Sequence, residues 1–78
     1  MVRTFTREQW QAIVGELDLS GMTRQAALRL GNISSEDGLV EAVAHPDDRP
    51  LFEAATVAKI ERALTARWGF QADLRILF

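Results

Sequence analysis

The chain has 78 residues, which is enough for one small domain and too few for a large multi-domain enzyme. Apolar residues make up 47% and charged residues 26%, a composition typical of a folded globular domain rather than a disordered or membrane-spanning chain. The formal charge of -2 provides no basic footprint for a nucleic-acid backbone, and the lack of cysteine excludes disulfides, thiolate zinc sites and a cysteine nucleophile. We therefore expect a cytoplasmic domain that contacts neither nucleic acid nor membrane directly.

The first predicted element is a helix over residues 7–18. Thr6 stands three residues before Gln9, the spacing of a capping box in which each side chain satisfies a backbone donor of the other. Apolar residues then recur at helical spacing and give the helix one buried face: Trp10, Ile13, Val14 and Leu17.

A second, shorter helix is predicted next. Ser20 and Gly21 can cap its start, and Gly31 with Asn32 can end it, because glycine and asparagine tolerate the left-handed conformation common at helix ends. A turn into extended chain follows.

Residues 32–44 are predicted to form a β-hairpin. Asp37-Gly38 is a dipeptide that favours a tight two-residue turn, and residues 39–44 form a short apolar run after it. The strand before the turn carries Ile33 as its one large apolar residue. The loop 45–50, with its two prolines, leads to the next helix.

The best-defined predicted element is a helix over residues 53–68, with Gly69 as its C-terminal cap. A last strand follows, whose apolar face alternates with polar residues and contains Ala72, Leu74, Ile76 and Phe78. The long helix is sufficient as a crossover to a parallel strand.

The predicted fold is therefore α+β, with element order ααββαβ and one three-stranded sheet covered by helices. We expect the second strand of the hairpin to be central and the first to be an edge strand. Residues 1–78 form a single domain in this interpretation. The sequence ends at Phe78 within an apolar strand, which favours a domain excised from a longer chain.

The polar residues give little support to catalysis. His45 stands near Asp47 and Asp48, but one histidine and two adjacent acids lack the convergent ligands of a metal site, and Asp48 is better interpreted as a helix cap. The acids around the predicted hairpin tip are interpreted as a solvated edge: Glu36, Asp37 and Glu41. We assign no catalytic residue, metal ligand or cofactor.

The aromatic residues divide into two groups. Trp10 and Trp68 fall on the apolar faces of the first and third helices, so we expect both in the core. Phe70 and Phe78 stand at the edge of that core, and either is a candidate anchor for a partner protein.

A pattern over about residues 10–77 resembles a known family. It consists of a Trp-led helix ending in Leu-x-Leu, a Gly-x-x-Arg-Gln-x-Ala helix, a hairpin, a helix closing in Ala-Leu and Gly, and a final strand. The matching positions are Trp10, Leu17, Leu19, Gly21, Arg24, Gln25, Ala27, Asp37, Gly38, Ile60, Ala63, Leu64, Gly69, Leu74, Arg75 and Ile76. The sequence is similar to the C-terminal domain of the bacterial DNA polymerase III tau subunit, but departs from it at Leu30-Gly31-Asn32, where the family often has Asn-Ser.

The resemblance implies a non-catalytic adaptor with a KH-like fold that lacks the nucleic-acid clamp of KH domains. Tau belongs to the clamp loader, and its C-terminal domain binds the polymerase alpha subunit, while other replisome subunits contact the parent chain. In the family this contact depends on a segment after the last strand, which we expect to lie beyond Phe78. Arg24 and Gln25 are the distinctive matches inside the domain and are candidates for a partner-binding face, although local structural roles explain them as well.

Two other functions remain open at this point. A KH-like module that binds RNA or single-stranded DNA would need a basic stripe or a Gly-x-x-Gly clamp, and the sequence has neither. A small enzyme would need a pocket that brings His45 together with an acid and a nucleophile.

Overall fold

The computed structural model of the protein describes residues 2–19 and 21–78. The elements in chain order are strand β1 (Arg3–Phe5), helices α1 (Arg7–Glu16) and α2 (Gly21–Leu28), strands β2 (Gly31–Glu36) and β3 (Leu39–Val43), a 3₁₀ helix (Pro46–Leu51), helix α3 (Ala54–Trp68) and strand β4 (Asp73–Leu77). The four strands form one mixed sheet in the order β1-β2-β3-β4. Strands β3 and β4 are parallel, and the other neighbours are antiparallel.

The sheet differs from the predicted one. The three-stranded sheet and the order ααββαβ are not confirmed, because β1 adds a fourth strand before α1 and pairs with β2. Consequently β2 lies between β1 and β3, and the prediction that it is an edge strand was wrong. The prediction that β3 is central is confirmed, and β4 lies parallel to it, an arrangement for which the long helix is sufficient as a crossover.

Most of the capping residues predicted at the helix ends have the predicted structure. The Thr6 side chain accepts a hydrogen bond from Gln9 N–H at 3.1 Å, and Thr6 N–H donates to Gln9 Oε1 at 2.8 Å, which confirms the capping box. Gly69 ends α3 in the left-handed conformation, with φ of 79°. Helix α1 ends at Glu16 rather than at residue 18, because Leu17 is already extended while its side chain stays buried. The predicted cap at Ser20 lies outside the described residues.

The β2–β3 hairpin also forms as predicted. Asp37 and Gly38 both have positive φ, of 51° and 85°, as the tight turn between Glu36 and Leu39 requires. Asn32 has a φ of 48°, but it lies within β2 rather than at a helix end. It falls where the pairing of β2 with β3 shifts register, so the residues predicted to terminate a helix contribute to a β-bulge instead.

The core lies between the sheet and the three α-helices. Trp10 and Val14 of α1, and Ile60 and Leu64 of α3, are each no more than 1% exposed. The Trp10 indole N–H donates to the carbonyl oxygen of Ala27 at 2.8 Å, which joins α1 to α2 inside the core. The opposite face of the sheet is left uncovered at its apolar residues in β3 and β4, which are exposed.

Two side chains of α3 accept hydrogen bonds from backbone N–H groups at the start of the free edge of β4. Leu74 N–H donates to Glu61 Oε2 at 2.7 Å, and Ala72 N–H donates to Thr65 Oγ1 at 2.9 Å. These two side chains occupy backbone donors to which a further strand would otherwise bind. Among the described residues, no side chain of α3 forms a hydrogen bond with the backbone of β4 after Leu74. The C-terminal end of β4 is therefore the part of this edge that is accessible to a partner.

Candidate partner-binding surfaces

Arg24 and Gln25 are neighbours on α2 but have different surroundings. Arg24 is half-buried, and its Nε donates to the carbonyl oxygen of Leu19 at 3.1 Å, which ties α2 to the turn before it. Gln25 is exposed and lies beside the 3₁₀ helix, where it lines a shallow depression together with Asp47 and Pro50. The structure thus gives Arg24 a local structural contact and leaves Gln25 accessible to a partner.

Phe70 ends a row of stacked aromatic rings, which we call the aromatic row: Phe5, Trp68 and Phe70. The Phe5 and Trp68 ring centres are 6.4 Å apart with planes at 13°, and those of Trp68 and Phe70 are 5.7 Å apart at 19°. The Arg3 guanidinium lies 5.2 Å from the centre of the Phe5 ring. Phe70 is 51% exposed, and Trp68, which was predicted in the core, is only half-buried and packs at its margin. The row joins β1 to the end of α3.

Phe78 belongs to a second aromatic cluster at the other end of β4. Its ring lies 6.1 Å from the ring of Phe52 at 54°, and the Arg49 guanidinium lies 4.9 Å from its centre. Phe78 is nevertheless 43% exposed. A half-exposed aromatic ring that is already held in place by neighbours loses little side-chain entropy when it binds a partner.

Two further exposed apolar side chains lie at the same end of β4 as Phe78 and were missed in the sequence. Val43 and Leu77 face each other across the parallel β3–β4 pair, and they are 38% and 45% exposed. We call Val43, Leu77 and Phe78 the β4-end patch. The signal for it was present, since Leu77 is an apolar residue at a position where alternation predicts a polar one.

The four predicted site residues do not form one surface. Phe70 precedes β4 and Phe78 follows it, so the whole strand separates the aromatic row from the β4-end patch. Gln25 is connected to the Phe78 side of the molecule through Arg29, which borders both the depression beside Gln25 and a larger groove lined by Phe78.

The residues near His45 have structural contacts. His45 caps the 3₁₀ helix, because its Nδ1 accepts a hydrogen bond from Asp47 N–H at 3.1 Å. Asp48 is not the helix cap that the sequence predicted: it lies inside the 3₁₀ helix and forms an ion pair with Arg29, 3.0 Å between Oδ1 and Nη2. The hydrogen bond and the charge of Asp48 raise the pKa of Arg29. Over residues 2–19 and 21–78, no group of three or more His, Asp or Glu side chains is arranged to hold a metal ion.

Comparison of this chain with protein-family models, with curated proteins and with solved structures gives no match. Within the described part of the chain, no helix is long and apolar enough to span a membrane.

Proposed function

We propose that this chain is a non-catalytic interaction domain of the DNA polymerase III tau type, which binds the polymerase alpha subunit and couples it to the clamp loader in the bacterial cytoplasm. The domain supplies a docking surface and performs no chemistry of its own. Other replisome subunits are contacted through the parent chain, and direct binding to nucleic acid or membrane is not part of this function.

The observation that carries the proposal is the β4-end patch. Val43 and Leu77 face each other across the β3–β4 pair, Phe78 follows Leu77 in the chain, and all three side chains are more than a third exposed at the same end of the sheet. Contiguous exposed apolar groups mark interaction sites, and single scattered ones do not. The Arg49 guanidinium beside Phe78 adds the residue type that, with aromatic rings, is most common among strong interface contacts.

The family resemblance supplies the identity of the partner. The support for this partner is the residue pattern quoted above; the structure adds strand β1 before α1 and a 3₁₀ helix before α3, which the tau-like pattern does not include. The KH-like character of the domain is therefore proposed for residues 7–77. The local features that support this proposal are Trp10 on α1, the hairpin turn at Asp37-Gly38 and the Gly69 cap of α3.

Replacing Leu77 by serine is expected to weaken binding of the alpha subunit by about tenfold, a loss of about 1.4 kcal/mol. Leu77 is 45% exposed and points to the uncovered face of the sheet, so the change removes apolar contact with the partner and leaves the core unchanged. The measurement is a calorimetric titration of purified alpha subunit with the wild-type domain and the variant.

The matched control is Val2→Ser, because Val2 is 58% exposed and directly precedes β1, at the edge of the sheet opposite to β4. Its affinity should stay within about twofold of the wild type. Equal affinities for the Leu77 and Val2 variants would contradict the assignment of the patch. No binding of alpha by the wild-type domain, either alone or within its parent chain, would contradict the proposed function itself.

The aromatic row favours a second candidate function, the binding of single-stranded nucleic acid. Bases stack on aromatic side chains, and Phe70 is half-exposed at one end of the row with Arg3 at the other. Titration with single-stranded DNA at two salt concentrations separates the two functions. Strong, salt-sensitive DNA binding that is lost in a Phe70→Ala variant, without alpha binding, would favour this second function.

A further inference from the structure

An open groove lies next to the β4-end patch, between the start of α1, the chain that connects α2 to β2, and the end of β3. Its volume is about 620 Å³, within the range of about 300–1,000 Å³ found for ligand-binding clefts. The buried side chains of Leu30 and Ile33 line it, and the half-exposed ring of Phe78 contributes to its wall. The groove is thus continuous with the patch through Phe78, and it offers apolar contacts to an incoming side chain.

The charges around the groove are unusual for this chain. The protein as a whole has more acidic than basic residues, yet the charged or titratable side chains among the described residues that line the groove are Arg7, Arg29 and His45, and none is acidic. Asp48 forms an ion pair with Arg29, and Asp47 lies beside His45. Arg7 forms no ion pair with any residue of the described ranges 2–19 and 21–78.

Arg7 is also in an electrostatically unfavourable position. It is the first residue of α1, where the helix dipole presents partial positive charge and a cation is disfavoured. Glu8 follows it directly, but adjacent residues on a helix do not face each other. An anionic group in the groove would therefore meet an exposed cation that has no ion-pair partner in the described part of the chain, and it would also interact favourably with the helix dipole.

We propose that this groove binds an extended acidic segment of the partner protein, with one apolar side chain seated against Phe78 and a carboxylate paired with Arg7. This inference rests on the proposed function, because it specifies the chemistry of the partner next to the β4-end patch. The segment is expected to be acidic because the charged side chains that line the groove are basic. It is expected to belong to the same partner because Phe78 is part of both the groove and the β4-end patch.

The test is a charge reversal, Arg7→Glu, measured by titration of the alpha subunit at low and at moderate salt. A glutamate in the first turn of a helix interacts favourably with the helix dipole, so we expect the variant to keep its fold. The affinity should fall by about tenfold or more, and its salt dependence should become weaker, since an interfacial charge pair is screened by salt. The matched control is Arg62→Glu on the exposed side of α3, outside the groove, with an expected change within about twofold.

The outcomes separate this inference from the proposed function. If Leu77→Ser weakens alpha binding but Arg7→Glu does not, or if both charge reversals weaken it equally, the acidic-segment inference is overturned and the interaction function stands. If the wild-type protein does not bind alpha, either alone or within its parent chain, the proposed function fails. The groove is then tested with a synthetic acidic peptide that has a central phenylalanine and with the same peptide in which lysines replace the acidic residues. A preference for the acidic peptide that Arg7→Glu abolishes supports the inference; no preference, or a preference for the lysine peptide, overturns it.

Discussion

Replacing Trp10 by alanine is expected to destabilise the domain by about 3–5 kcal/mol, the largest effect of any single substitution discussed for this protein. Trp10 is 1% exposed and contributes the largest fully buried side chain of the core. Total stabilities of small domains are about 5–15 kcal/mol, so the variant would retain little or no folded population at elevated temperature. Urea denaturation followed by circular dichroism measures the change.

A second variant, Trp10→Phe, keeps the measurement informative if the alanine variant does not fold. Phenylalanine retains most of the apolar contact but removes the indole N–H, which leaves the buried carbonyl oxygen of Ala27 without this donor. Loss of that hydrogen bond should cost about 1–3 kcal/mol. The control is Trp68→Phe, which changes a half-buried ring in the aromatic row and should cost less. A Trp68 variant that is less stable than the Trp10 variant would contradict the proposed core.

Replacing Gly38 by alanine is expected to destabilise the domain by about 2 kcal/mol or more, because two effects add. Gly38 has a φ of 85°, a conformation that costs a residue with a Cβ about 1–2 kcal/mol. A Cβ atom at this position would also lie 2.8 Å from the carbonyl oxygen of Gln71, a backbone atom that cannot rotate away. Gly38 itself accepts a hydrogen bond from Asp73 N–H at 2.8 Å, so displacement of the turn would disturb the start of β4.

Gly69→Ala separates the two effects. Gly69 has a similar φ of 79°, but a Cβ there meets no atom within 4 Å. Its substitution should therefore cost only the conformational part, about 1 kcal/mol. The free energy of unfolding of both variants is obtained from urea titrations. Equal losses for Gly38→Ala and Gly69→Ala would show that the turn does not pack against the chain before β4 as described.

The features predicted correctly from the sequence depend on residues close together in the chain. Thr6 and Gln9 are three residues apart, and the Asp37-Gly38 turn and the Gly69 cap each depend on the conformation of one or two residues. Such signals are complete within a short segment, so the sequence contains all that is needed to recognise them. The length of the helix before β4 allowed a parallel placement of that strand but did not require it.

The features that were missed depend on pairing between distant residues. β1 is three residues long and has no apolar alternation, and it is a strand because Thr4 and Phe5 pair with Ser34 and Ile33. Without β1, the strand β2 was expected at the edge. Asp48 was assigned to a cap because its partner, Arg29, lies on another helix and no local pattern indicates the ion pair.

The candidate site was predicted in part. Phe70 and Phe78 were expected at the edge of the core, and both are about half-exposed. The sequence did not reveal that they lie at opposite ends of β4, or that the exposed side chains of Val43 and Leu77 lie at the same end of the sheet as Phe78. Those facts depend on strand register, which a strand sequence with apolar residues on both faces does not define.

The central claim, that the β4-end patch is the surface which binds the alpha subunit, is tested most directly by amide hydrogen exchange of the domain alone and in complex with alpha. Binding should slow exchange at the C-terminal end of β4 and at Val43, with little change at Phe70 and in the first turns of α2. Protection confined to Phe70 and β1, with none at Leu77 and Phe78, would contradict the claim and place the interaction on the aromatic row.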